Sequence, residues 1–217
     1  MSAATVVLWR HGRTRSNAEN RMQGQLDVPL DEVGHAQAAA SAAHLAPLVA
    51  PLAAVGAARL VASDLSRALD TARALSALTG LEPQPDPALR EVDAGRWQGL
   101  LHSEITASWS EDYAAWRGGG DVRAGGGESR AELAERTAAA VERHAAGVPE
   151  GGTLVVASHG AALKGALLRL LGLELSAWSA FAGFRNAHWA VLARGRRGWL
   201  LGEYNAGPPG AGEGAEG

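Results

Sequence analysis

Three short apolar runs, each ending abruptly in residues able to bind or react, constrain this chain more than any other feature. Thr5 to Trp9 stops at Arg10-His11-Gly12, Arg59 to Ala62 runs into Ser63 to Arg67, and Thr153 to Ala157 ends in Ser158-His159-Gly160. Runs this short and apolar, bounded by turn-forming residues, read as buried strands. Helix-forming stretches separate them, which predicts an α/β fold: a three-layer α/β/α sandwich with a mostly parallel central sheet. Parallel strands place their carboxyl ends on one edge, so the three polar clusters are expected to converge on one pocket.

The stretch from Asp31 to about Leu45 is rich in alanine and predicts a helix that Pro47 and Pro51 break. Ser63 or Asp64 is expected to cap a helix from Leu65 to about Leu78, closed by Gly80. The prolines between Glu82 and Pro87 allow at most a short edge strand before a loop from Leu89 to Gly99. His102 to Trp116 reads as helical, and Gly118 to Gly120 with Gly125 to Gly127 bracket a connector, either a lid or an exposed loop. Glu128 to Ala146 is a charged amphipathic helix, and another follows the third strand to Leu171. His188 to Ala193 and Trp199 to Tyr204, joined by a basic turn from Arg194 to Gly198, predict a terminal hairpin that forms the antiparallel edge. One domain is expected over residues 1–205, with a disordered Gly, Pro and Glu tail over 206–217.

Hydrophobic residues make up 47% of the 217 and charged residues 20%, enough to bury a core. A net charge of -3 removes the usual electrostatic motive for binding nucleic acid or an anionic membrane. The absence of cysteine excludes disulfides and thiolate metal sites. No apolar run approaches the ~18 residues of a membrane span, and no signal-like leader opens the sequence, so a cytoplasmic location is expected.

The converging clusters bring two arginines, two histidines and glycine-bordered amides. Phosphate binding requires such a set: guanidinium forks, imidazole donors and N–H groups at helix starts. Isolated histidines are more often structural, and His35, His44, His102, His144 and His188 are read so. Arg67 on its own would make a solvated ion pair contributing about 0 to 1 kcal/mol, but its place after a strand favours a binding role. Packing accounts for the seven tryptophans, with Trp97 a candidate for the pocket wall. Val156 to Gly160 has some likeness to a nucleophile elbow, yet no oxyanion motif supports a serine hydrolase. No phosphate-binding loop, metal-ligand spacing or dinucleotide fingerprint is present.

With these residues in view, the sequence resembles the histidine phosphatase superfamily, also called phosphoglycerate-mutase-like. Its hallmark Arg-His-Gly-x-Thr-x-x-Asn stands here as Arg10 to Asn17, continued by Gln23-Gly24 and Asp27 to Leu30. Its second block corresponds to Ser63 to Thr71, its acidic block to Leu89 to Gly99, and its late block to Val156 to Gly160, after Gly127-Glu128-Ser129. The resemblance implies that His11 takes a phosphoryl group, that Arg10, Arg67 and His159 hold its oxygens, and that Asn17, Gln23, Gly24 and Gly160 add hydrogen bonds. It also implies that Glu91, rather than nearby Asp93, moves the proton, and that neither metal nor cofactor is needed. A small phosphorylated metabolite is then the partner, without nucleic acid or membrane, and because the family often dimerises a homodimer is one assembly the resemblance allows, the oligomeric state being left open by the sequence itself.

Within the family, Ala94 to Gly99 lacks the Arg-x-Tyr-Gly pattern of the cofactor-dependent mutases, which favours a phosphatase. A closer likeness, in Arg21 to Asp27, Trp97 to Leu100 and Gly126 to Arg130, is to the glucosyl-3-phosphoglycerate phosphatases. Arg13, where the family commonly has Glu or Gln, is taken as a substrate contact, with Arg15 and Arg21 either completing a positive rim for a carboxylate or lying solvated. A mutase, or a silent phospho-ligand binding module, are the alternatives.

Overall fold

In the computed structural model, which describes residues 2–208, the apolar runs become neighbouring strands of one sheet. Along the chain come β1 (Thr5–Arg10), α1 (Arg15–Ala18), α2 (Glu32–Ala54), β2 (Ala58–Ala62), α3 (Ser66–Thr79) and β3 (Gln84–Pro85). These are followed by α4 (His102–Ser108), α5 (Ser110–Arg117), α6 (Arg130–Ala146), β4 (Thr153–Ser158), α7 (Gly160–Leu170), β5 (Trp189–Gly195) and β6 (Gly198–Ala206). The strand order is β3-β2-β4-β1-β5-β6. β3, β2, β4 and β1 pair in parallel, while β5 pairs antiparallel with β1 and with β6. This is the expected mostly parallel sheet with an antiparallel edge.

Alternation along the strands sorts side chains onto two faces. Val6, Leu8, Leu154 and Val156 pack with Val141, Leu163 and Leu167 of α6 and α7. Val7, Trp9, Leu60 and Val155 pack with Leu45 and Val49 of α2 and Leu75 of α3. Each such aliphatic side chain contributes roughly 1.5 to 3 kcal/mol on burial, so both helical layers are firmly held to the sheet. A third cluster lies beyond the sheet, where Met22, Val92, Trp97, Ile105, Tyr113 and Leu133 pack under the segment between β3 and α6. Among the described residues, no helix is long and apolar enough to cross a membrane.

Several local expectations are corrected. α2 does not stop at Pro47 but runs through it and Pro51 to Ala54. Both prolines lie on the exposed side, while Leu45 and Val49 are buried, so water can take up the carbonyls left without donors and core contact holds the helix. Neither Ser63 nor Asp64 caps α3. Its first turn is held from outside by Asp27, whose Oδ1 accepts from Ser66 N at 2.8 Å and Ser66 Oγ at 2.7 Å. The helix expected over His102 to Trp116 is two, broken at Trp109 (φ -142, ψ 49). The glycine connector is docked: Gly125 is buried with φ +57, and a Cβ there would lie 2.3 Å from Ala94 O. Ala206, placed in the tail by the sequence, closes β6 opposite Trp189, and the expected tail from residue 209 lies outside the described residues.

Candidate active site

The register of the parallel strands brings the polar clusters together. Arg10 is opposite Ser158, and His11 N donates to Ser158 O at 2.9 Å, so residues 10–11 and 158–159 are side by side at the carboxyl edge. Ser63 N donates to Ala157 O at 2.9 Å, which sets the start of α3 beside them. Arg10, His11, Asn17, Gln23, Gly24, Arg67, Glu91 and Gly160 all line one cavity of about 910 Å³. His159 lies at its base, fully buried, its ring 5.1 Å from that of His11.

The hydrogen bonds define the histidine tautomers. His11 Nδ1 is 2.6 Å from Gly12 O, and because a carbonyl only accepts, Nδ1 carries the proton and Nε2 the lone pair. Burial, then the charges of Arg67 and Arg10, hold the His11 imidazole well below the ordinary histidine pKa, against a smaller opposing effect of the Gly12 bond. The ring is therefore a neutral nucleophile at physiological pH. In His159, Nδ1 accepts from Arg67 Nε at 3.2 Å, so the proton sits on Nε2, which is buried without a hydrogen-bond partner. His159 is likewise held well below the ordinary value, by burial first and then by Arg67, His11, Arg10 and Arg136.

Arg67 is fully buried, yet its guanidinium is anchored by Leu26 O at 2.7 Å and Gly24 O at 2.8 Å. Burial lowers its pKa to about 10, opposed by Glu91 and Asp27, so it stays charged at neutral pH. Arg10 donates to Phe184 O. Asn17 Oδ1 accepts from Thr14 N and Asn186 Nδ2, which leaves its Nδ2 as the group offered to the cavity. Gln23 is fixed through Oε1, which accepts from Thr14 Oγ1 at 2.9 Å.

Glu91 reaches the start of α7 from the acidic loop. Its Oε2 accepts from Ala161 N, and its Oε1 from Ala162 N, each at 3.0 Å. A helix N-terminus suits a carboxylate. The loop is tied down by Arg136, which donates to Ala88 O and Arg90 O and pairs with Glu128 at 2.7 Å. Asp93, the competing acid, is exposed and accepts from Gly95 N outside the cavity. Ser158 Oγ donates to Leu89 O at 2.7 Å, so it tethers that loop and is no exposed nucleophile.

Arg13 does not join the site. Its Nε is paired with Asp31 at 2.8 Å, because the carboxylate that caps α2 is the nearest partner, and Arg13 does not line the cavity. Arg15 pairs with Glu19, while Arg21 does reach the cavity wall and donates to Gly99 O. Trp97 is buried beneath the site, and Trp116 and Trp178 form its wall instead. Sequence reasoning named Arg130 only within the Gly126 to Arg130 likeness, without a role, and missed Lys164 and Asn186. Asn186 Nδ2 donates to His11 O at 3.1 Å and Gly12 O at 3.2 Å, bracing the histidine loop from just before β5. Its position just before an antiparallel strand that starts at the same sheet edge was the signal available.

Comparison with known proteins agrees with this geometry. The model of the histidine phosphatase superfamily (branch 1) matches residues 6–207. Glucosyl-3-phosphoglycerate phosphatase of Mycobacterium tuberculosis (strain ATCC 25618 / H37Rv) is 39% identical over 204 residues, covering 89% of this chain and 86% of that protein. Probable phosphoglycerate mutase GpmB of Enterobacter sp. (strain 638) is 37% identical over 172 residues, 77% of this chain and 75% of its own. The solved structure of mycobacterial glucosyl-3-phosphoglycerate phosphatase Rv2419c with VO3 superposes with a TM-score of 0.85 at 38% identity, covering 94% of this chain and 99% of that one. From its strand order to the sequence blocks at its cavity, the chain belongs to the histidine phosphatase superfamily.

Proposed function

We propose that this chain hydrolyses phosphomonoesters through a phosphohistidine at His11, with glucosyl-3-phosphoglycerate as its substrate. The observation that carries the reading is the His11 tautomer: a proton held on Nδ1 by Gly12 O leaves Nε2 as a lone-pair nitrogen, in a cavity that Arg10 and Arg67 also line. Nε2 attacks phosphorus as the ester P–O bond breaks, and Glu91, which enters this step in its acid form, gives its proton to the departing alkoxide. Arg10, Arg67 and the Nε2–H of His159 take the charge that develops on the phosphoryl oxygens, with Asn17, Gln23, Gly24 and Gly160 around them. Glu91, now a carboxylate, takes a proton from water as that water attacks phosphorus. The P–N bond breaks, inorganic phosphate leaves, and the neutral imidazole returns.

The substrate assignment rests on the likeness to glucosyl-3-phosphoglycerate phosphatases over most of both chains. A cavity of about 910 Å³ also leaves room for a sugar-acid leaving group beside the phosphate. The test is alkali-quenched labelling, because the P–N bond of a phosphohistidine survives alkali and not acid: with substrate radiolabelled at phosphorus, wild type should carry label on His11, and His11→Asn should show neither label nor phosphate release. Wild-type turnover in His11→Asn would remove the mechanism, and binding without phosphate release would leave only a phospho-ligand binding module. The likeness to a probable mutase favours a second reading. It predicts isomerisation of phosphoglycerate on adding 2,3-bisphosphoglycerate, where the phosphatase reading predicts free phosphate.

A further inference from the structure

Two buried cations in the same cavity take no part in the chemistry proposed above. Arg130, the first residue of α6, is 2% exposed, with its guanidinium 3.8 Å from the centre of the Trp178 ring and 4.8 Å from that of Trp116. It donates to Trp116 O through Nη2, but its Nε and Nη1 are buried without hydrogen-bond partners. Lys164 of α7 is 6% exposed, donates to Phe181 O at 2.5 Å, and lies 4.9 Å from the centre of the same Trp178 ring. Among the described residues, neither has a carboxylate within ion-pair distance. Burial is the first cause lowering both, Arg130 to about 10 and Lys164 to about 8, and the Arg130 charge also acts on Lys164. Cation–π contact accounts for part of this packing but does not satisfy the N–H groups.

An anion fits what is missing. It would accept from the unpartnered N–H groups of Arg130 and offset the repulsion between two cations set on one indole. We infer that Arg130 and Lys164, backed by Trp178, form a second anion subsite that selects phosphate esters whose leaving alcohol carries a carboxylate. The inference rests on the phosphomonoesterase reading, since it assigns the subsite to the leaving group. It also replaces the rim expected from Arg13 and Arg15, which are paired with Asp31 and Glu19.

The probes are 3-phosphoglycerate and glycerol 3-phosphate, which differ chiefly in carboxylate against hydroxymethyl. Dissociation constants are measured by calorimetry on the His11→Asn chain, where neither ester is consumed, and phosphate release on the chain with His11. A preference for the carboxylate ester of about tenfold or more is expected, as for charge-assisted hydrogen bonds, falling to about twofold in Lys164→Gln. The same collapse is expected in the ratio of kcat/KM values. Equal affinity for the two esters, or a Lys164→Gln loss shared equally by both, overturns the subsite. Arg130→Lys is the second variant; if its burial between tryptophans prevents folding, Lys164→Gln still decides. Carboxylate preference in binding without any phosphate release would keep the subsite and remove the phosphatase, so the two failures are distinguishable.

Discussion

At the scale of single residues, the site is built from groups whose hydrogen bonds leave one atom each for the substrate. His11 Nε2 is free because Nδ1 is engaged by Gly12 O, and His159 Nε2 carries a proton because Nδ1 accepts from Arg67. Glu91 is the residue whose role most needs a chemical test. In Glu91→Gln, an alkyl phosphate should lose about a hundredfold or more in its first step, the usual scale of general acid catalysis. p-Nitrophenyl phosphate, whose leaving group needs little protonation, should still give a burst of p-nitrophenolate and slow at attack by water. Loss of the first step equally for both esters would place the proton donor elsewhere. Arg10, His11, Arg67, Glu91 and the late histidine were legible because they occur in blocks beside strand ends. Arg130 and Lys164 were not, because a cation on an amphipathic helix reads as solvated until packing buries it.

At the scale of elements, two features oppose local propensity and are held by contacts distant in sequence. α2 carries Pro47 within its length, on the exposed side. Pro47→Ala should therefore stabilise the protein by about 1 to 2 kcal/mol, the helix gain being partly offset by a looser unfolded chain. Urea unfolding checks this, and an unchanged or lower midpoint would mean the ring itself packs usefully. The acidic loop leans on the glycine segment, where a Cβ at Gly125 would lie 2.3 Å from Ala94 O and 2.7 Å from Trp97 N. Gly125→Ala is expected to cost about 1 to 3 kcal/mol through strain at positive φ and this clash, and to lower kcat by displacing Glu91. Wild-type stability together with wild-type kcat would show that the loop can yield there. The sequence marks those glycines as a connector, but their reason, close approach to residues 93–97, exists only once the two segments meet.

At the scale of the whole molecule, burying two neutral imidazoles ties stability to pH. His11 and His159 have folded pKa values below that of an unfolded histidine, about 6.5, so between the two values the unfolded chain binds more protons. Their contribution is fully present above about pH 6.5 and is lost as pH falls below it, by up to about 1.4 kcal/mol per pH unit for each ring. Urea unfolding between pH 7.5 and pH 5 should show this fall, and His11→Asn should make it shallower. Parallel curves for the two proteins would contradict the assignment. The sequence alone determined the alternation of strands and helices, the shared edge of the parallel strands, and the blocks that end there, because these follow from short-range pattern. Only the tertiary structure decided that α2 passes through its prolines, that Asp31 withdraws Arg13, and that Arg130 and Lys164 reach the cavity. Burial and ion pairing are relations between segments far apart in the chain, and no local pattern carries them.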